Sequence, residues 1–118
     1  MIKALHVKSF VLYFSDHGEE VYDNLDMAGH NEDISSKNMF TIPMLLWQSE
    51  MFKADKKIFP QESKKYMTDD LFHSIADLMD IEHDSVDVSR SIFSDIFKPR
   101  KRIVKDTINF DTFFSPDL

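Results

Sequence analysis

Phe10-Val11-Leu12-Tyr13-Phe14-Ser15-Asp16-His17-Gly18-Glu19-Glu20 opens as an uninterrupted apolar run and stops on an acid, an imidazole and a glycine. A strand buried on both faces of an α/β sheet is near-continuously apolar, and ligands in such folds bind just beyond the carboxyl ends of the strands. Ser9 to Phe14 is therefore predicted to be a buried strand, with Asp16 and His17 at its functional end. Neighbouring side chains on an ideal strand point to opposite faces, so one metal can take both only where the chain leaves extended geometry. Gly18 is expected to supply that departure, because glycine tolerates backbone angles closed to other residues. A carboxylate beside an imidazole suits zinc or manganese better than a thiolate-loving metal. The alternative is structural, with Asp16 capping the next segment and His17 packing.

The rest of the chain supplies a second strand and a helix. Thr41 to Gln48 reads as a buried strand beginning at Pro43, since proline is tolerated near a strand start and Met44-Leu45-Leu46-Trp47 is short for a helix. Trp47 is assigned to the core. Glu19 to Lys37 is a polar loop able to close over a substrate, and Ser49 to Lys65 is a mixed, lysine-rich stretch ending in a loop around Pro60. Thr68 is a candidate N-cap with Asp69 and Asp70 in the first turn. Leu71, Phe72, Ile75, Leu78 and Met79 then recur at helical spacing and define one apolar face. His73 lies off that stripe and is read as structural or solvent-facing, and His83 carries no argument for catalysis. Arg90 is expected to tie its turn to a nearby carboxylate. Ile103-Val104 is a short strand, and Thr107 to Phe114 a further edge element.

Composition limits the function classes. The 118 residues are 42% hydrophobic and 13% aromatic, enough for one domain-sized core, and no linker or repeat divides them. Eleven phenylalanines and seven methionines suggest surfaces that pack against further sheet and helix. No cysteine is present, which excludes a disulfide scaffold and a thiolate metal site. The net charge of −7 argues against general nucleic-acid binding. Lys98-Pro99-Arg100-Lys101-Arg102, with Lys105, is the local exception and reads as a solvated surface turn, with a weak contact to anionic lipid headgroups or lipopolysaccharide phosphates as the alternative. No run reaches the ~20 apolar residues that span a bilayer.

Ser15-Asp16-His17-Gly18-Glu19, then Gly29-His30, then Ile42-Pro43-Met44-Leu45-Leu46-Trp47, and finally Leu71 to Ile81 occur in that order. The series resembles the C-terminal part of the sulfatase-like domain of phosphoethanolamine transferases, members of the alkaline phosphatase superfamily, and in particular the branch that decorates lipopolysaccharide heptose or lipid A. The resemblance covers Phe10 to about Val104. It implies an α/β fold, a partial alkaline-phosphatase/sulfatase-like sheet with covering helices, in which residues 1–118 are the C-terminal portion of one domain. It implies zinc, with manganese the lesser candidate, held by Asp16 and His17. It gives His30 contact with the transferred phosphoryl group or a second zinc, against the reading of a solvated loop histidine. Glu19 would orient a ligand, and Glu20 reads as a solvated turn acid. The implied partners are phosphatidylethanolamine as donor and lipopolysaccharide as acceptor, at the periplasmic face of the bacterial inner membrane.

The same resemblance marks what is missing. The family places an acidic metal ligand and a threonine nucleophile well upstream of this strand, whereas Met1 to Val11 contain neither an acid nor a threonine. The chain is therefore expected to be a fragment carrying part of the site, inactive alone. The rival readings are a fragment of another sulfatase-like hydrolase or of a phosphoglycerol transferase, and a non-catalytic truncated module.

Overall fold

Both long apolar runs form strands, and they pair with each other. The computed structural model describes residues 6–30, 33, 35–59 and 62–114, so the turn expected around Pro60 lies outside the described residues. Strand β1 is Phe10–Phe14, and a short ribbon follows from β2 (Glu20–Val21) and β3 (Ala28–Gly29). Helix α1 (Lys37–Phe40) precedes β4 (Met44–Gln48) and α2 (Glu50–Asp55). A 3-10 turn at Thr68–Asp70 leads into α3 (Leu71–Leu78), and another spans Val88–Arg90. The described chain closes on β5 (Ile103–Val104), β6 (Ile108–Asn109) and α4 (Phe110–Phe113).

The α/β class holds, but the parallel-type pairing suggested by the apolar runs does not. β1 and β4 are antiparallel, with Val11 opposite Trp47, Leu12 opposite Leu46 and Tyr13 opposite Leu45. Because side chains alternate across a strand, Phe10, Leu12, Met44 and Leu46 share one face. That face packs on a core of Phe52, Leu78, Ile92, Phe93 and Phe97. Val11, Tyr13, Leu45 and Trp47 share the other, where Tyr13 is 56% and Leu45 65% exposed and Trp47 is half-buried. The near-continuous hydrophobicity is thus real on both faces, and among the described residues the core covers one.

α2 falls in the stretch read as irregular. Its Ser49 hydroxyl accepts from the Phe52 N–H at 3.1 Å, capping the helix, and Phe52 carries its anchor into the core. Thr68 does not cap α3. It starts the preceding 3-10 turn, and Asp70 stands at the helix entrance without a side-chain cap bond. The expected apolar face of α3 is also rotated: His73, Ser74, Ala76 and Leu78 are buried, whereas Phe72 and Met79 are 58% and 56% exposed. Polar partners explain the choice of face. The Ser74 hydroxyl lies 2.7 Å from that of Tyr66 and accepts from the Ile92 N–H at 3.1 Å. The Ser91 hydroxyl donates to Asp77 at 2.6 Å. His73 is structural, its Nδ1 accepting from the Asp87 N–H at 3.0 Å.

Glu20 is the largest departure in the first half. Far from being a solvated turn acid, it is fully buried. Its carboxylate accepts from the Ser36 hydroxyl at 2.5 Å, from the Asn24 N–H at 2.6 Å and from the Leu25 N–H at 3.3 Å, stapling the loop between β2 and β3 to the entry of α1. These donors, Ser36 first, lower its pKa from 4.5 to about 2. A pKa lower in the folded state than in the unfolded chain gives stability that is present above 4.5 and lost as pH falls toward 2. Glu20→Gln is accordingly expected to flatten the acid limb of the stability profile over that interval, read from urea midpoints between pH 6 and pH 2.5. An unchanged limb would place the acid sensitivity elsewhere.

Candidate metal centre

The chain leaves β1 through a turn that its own polar groups fix. The Ser15 hydroxyl donates to the His17 carbonyl at 2.8 Å, and the His17 N–H donates to the Asp16 carboxylate at 3.0 Å. Gly18 is needed at this point for proximity and not for a left-handed backbone, since among the described glycines Gly29 alone has positive φ. The Gly18 N–H donates to the Met39 carbonyl at 3.0 Å. A Cβ on Gly18 would stand inside contact distance of the Asn38 carbonyl oxygen and 2.6 Å from that of Thr41. α1 therefore seats directly on the turn. Gly29, at φ 109°, is the residue that requires glycine for its angles, and it delivers His30 back toward His17.

His17, Glu19 and His30 converge, each offering a ligand atom within 4.8 Å of the others. Glu19 Oε1 lies 3.4 Å from His17 Nδ1 and 3.1 Å from His30 Nδ1, and the two imidazole rings are 4.1 Å apart, tilted by 46°. Asp16 stands at the margin, largely exposed, with Oδ1 3.7 Å from His17 Nε2. The pairing that the apolar run announced is thus Asp16 beside His17, but Glu19 is the group that the fold places between the two histidines. Its signal in the sequence was its spacing, two residues beyond His17 across the glycine. The Gly18 carbonyl, 3.0 Å from His17 Nδ1, raises the pKa of that imidazole, and the Asp16 and Glu19 carboxylates add to the effect. A metal entering here would displace a proton, so its binding would weaken as pH falls.

The centre opens into a cavity of about 1430 Å³. Asp16, His17 and His30 stand at its wall with Met44 and Leu46, and Arg102 lines it further along the chain. The basic cluster is only partly the solvated turn expected. Arg100 and Arg90 both pair with Asp70, and Arg102 pairs with Asp111 at 2.5 Å. These partners lie up to 30 positions away, so no local pattern could disclose them.

Residues 2–81 match the family described as Sulfatase. The chain belongs to the sulfatase family. Within it, the chain is 42% identical over 104 residues to phosphoethanolamine transferase CptA of Salmonella typhimurium, covering 85% of this chain and 18% of that protein. It is 41% identical to phosphoethanolamine transferase EptC of Escherichia coli over the same length and shares. The crystal structure of the C-terminal periplasmic domain of Escherichia coli EptC in complex with zinc is similar at a TM-score of 0.82 and 37% identity, over 94% of this chain and 34% of that one. A second crystal structure of that domain gives 0.78 and 40%. The chain spans less than a fifth of the length of its curated relatives.

The donors here suit zinc. Bond lengths near 2.0–2.1 Å in a tetrahedral site place ligand atoms about 3.3 Å from one another, and the 3.7 Å between Asp16 Oδ1 and His17 Nε2 lies close to that edge, while Glu19 meets both histidines on their Nδ1 side. Imidazole and carboxylate, without thiolate, form a donor set typical of a zinc site that does chemistry. No helix among the described residues is long and apolar enough to cross a membrane.

Proposed function

We propose that this chain is the C-terminal portion of one sulfatase-like domain of a zinc-dependent phosphoethanolamine transferase that moves phosphoethanolamine from phosphatidylethanolamine to lipopolysaccharide at the periplasmic face of the bacterial inner membrane. The reading is carried by the convergence of His17, Glu19 and His30 in a chain 42% identical to a phosphoethanolamine transferase. Zinc, favoured over manganese by the relative that carries it, would when bound polarise a phosphoryl oxygen and lower the pKa of a coordinated hydroxyl.

The remaining chemistry falls to the side chains. Asp16 and His17 are assigned to hold the metal, with Asp16 Oδ1 3.7 Å from His17 Nε2. Glu19 would orient His30 through its Nδ1, the role that carboxylates play behind functional histidines, while the Gly18 carbonyl holds the Nδ1 side of His17 and leaves Nε2 toward Asp16. His30, exposed at the cavity wall, is assigned to position the phosphoryl group or give it a proton, work that suits an imidazole near neutral pH. The resemblance implies a nucleophile and an acidic ligand well upstream of this strand, and Met1 to Val11 offer neither, so the chain alone is expected to be inactive.

Calorimetric titration of zinc into the chain tests the assignment. One ion is expected per chain, and affinity is expected to fall by more than the roughly 100-fold that loss of a supporting partner costs a metal site, because the Asp16→Ala, His17→Ala double variant removes two ligands. Equal affinities in the two proteins would remove both residues from the ligand set.

A further inference from the structure

We infer that Glu20 is the positioning residue for His30: its buried carboxylate and its backbone fix the chain on both sides of that histidine and so set how the His30 ring meets His17. For its chemistry the inference rests on the reading of His30 as the group that faces the phosphoryl oxygen; for placement it rests on geometry alone. Packing does not hold His30. Its side chain is 54% exposed, and the residue before it, Gly29, sits at φ 109°, where glycine has a freedom that other residues lack. The ribbon that delivers it has two residue pairs, Glu20 opposite Gly29 and Val21 opposite Ala28, and an isolated two-stranded hairpin is marginally stable at best in water. Yet the His17 and His30 rings lie 4.1 Å apart. The ribbon is therefore held by more than its own ladder.

Glu20 holds it from two directions. Its backbone pairs with Gly29, immediately before His30. Its side chain reaches Ser36, on the far side of His30 in sequence, where Oε2 accepts from the hydroxyl at 2.5 Å. The same oxygen accepts from the Asn24 side-chain amide at 3.3 Å, and Oε1 accepts from the Asn24 and Leu25 N–H groups at 2.6 and 3.3 Å. Four donors thus share two oxygens, an arrangement that a carboxylate satisfies and a carboxamide, with one accepting oxygen, does not. Because Glu20 is fully buried, these bonds form where water does not compete and where an unpaired donor is costly. A second tie between this loop and α1, from Asn38 Nδ2 to Asp23 Oδ2 at 3.0 Å, is exposed and lacks that protection. Ser36 is the N-cap residue of α1, and α1 also receives the Gly18 N–H on its Met39 carbonyl. The turn that carries His17 and the ribbon that carries His30 are thus referenced to one helix. Adjacent glutamates divide the work, Glu19 meeting His30 Nδ1 at 3.1 Å and Glu20 fixing the backbone behind it.

The test uses the whole 118-residue chain at pH 7 in EDTA, so that it reads placement without zinc. A through-space cross-peak between carbon-bound ring protons of His17 and His30 is expected in the native chain. Glu20→Ala is expected to abolish it while the amide resonances of β1, β4 and α3 keep their positions, and Glu20→Gln, which keeps the length and one accepting oxygen, is expected to restore part of it. Ser36→Ala removes the tie to α1 and keeps the loop bonds to Asn24 and Leu25, so it reads the same placement even where Glu20→Ala does not fold; it is expected to weaken the cross-peak. A merely structural role would lower the urea midpoints of these variants and leave the cross-peak of the folded chains intact. That result, or a native chain without the cross-peak, would overturn the inference. A ring pairing that depends on Glu20 in a chain whose zinc affinity ignores Asp16 and His17 would instead keep the positioning and remove the chemistry assigned to the centre.

Discussion

Gly18→Ala is expected to destabilise the folded chain by about 3 kcal/mol or more and to abolish ordered placement of His17. Overpacking a tight site costs about 1–3 kcal/mol when neighbouring side chains can move. Here the obstructions are the backbone carbonyls of Asn38 and Thr41, on α1 and its C-cap, and neither is the end of a flexible group. Relief requires α1 to lift. That motion breaks the Gly18–Met39 hydrogen bond and loosens Ser36, whose hydroxyl holds the buried Glu20. The damage thus runs from the turn into the β2–β3 ribbon that carries Gly29 and His30. Urea unfolding followed by circular dichroism measures the loss, and histidine ring resonances of His17 and His30 report the placement. A cost below about 1 kcal/mol would show that α1 is not seated on the turn. Gly29→Ala is the informative comparison. Its Cβ would make an ordinary van der Waals contact with a Glu19 oxygen at 3.6 Å, so its penalty is the positive φ alone, about 1–2 kcal/mol.

What the sequence disclosed, and what it withheld, follows from the range of the signal in each case. β1, β4 and α3 were legible because local hydrophobicity and helical spacing report them directly. Arg90 was legible as a turn tie because a guanidinium beside a buried turn finds a carboxylate. The antiparallel pairing was not: an apolar run on both faces says that two layers must cover it, not which strand lies alongside. α2 was hidden because lysines dilute its short apolar stripe, although Ser49 followed by Glu50 is a helix-start signature. The rotated face of α3 was hidden for a different reason. Apolarity predicted that Phe72 and Met79 would go inside, whereas the buried face carries Ser74 and Asp77, satisfied by Tyr66 and Ser91, beside Ala76 and Leu78. At the candidate metal centre, Asp16, His17 and His30 came from motif and resemblance. The central position of Glu19 required the fold to bring residues 11 apart within 3.1 Å. Glu20 shows the limit most plainly, because adjacent glutamates in a polar loop carry no mark of which one is buried.

Asp70→Ala is expected to cost about 3 kcal/mol. The Asp70 carboxylate is nearly buried and takes two guanidinium groups: Arg90 Nε at 2.6 Å, and Arg100 through one terminal nitrogen at 2.6 Å and Nε at 3.3 Å. Removing one partner of a buried ion pair typically costs about 3–5 kcal/mol, because the other charge is left uncompensated. The lower end applies here, since the side chains of Arg90 and Arg100 are 30% and 43% exposed and recover some hydration. The loss is structural as well as electrostatic. Asp70 stands where the 3-10 turn enters α3, Arg90 closes the 3-10 turn before the buried Ser91–Phe93 segment, and Arg100 lies on the stretch leading to β5. One carboxylate therefore ties three segments that are otherwise joined through loops. Arg100→Ala alone should cost about 1 kcal/mol, within the range of exposed pairs, because Arg90 continues to satisfy the acid. The Asp70/Arg100 double variant should then cost less than the sum of the singles, a coupling that a double-mutant cycle reads directly. Because Asp70 is shielded from solvent, the effect should persist in 0.5 M salt, whereas an exposed pair such as Lys53–Glu50 would be screened. A cost under 1 kcal/mol for Asp70→Ala, or one that vanishes in salt, would mean that water replaces the carboxylate and that packing alone holds the three segments together.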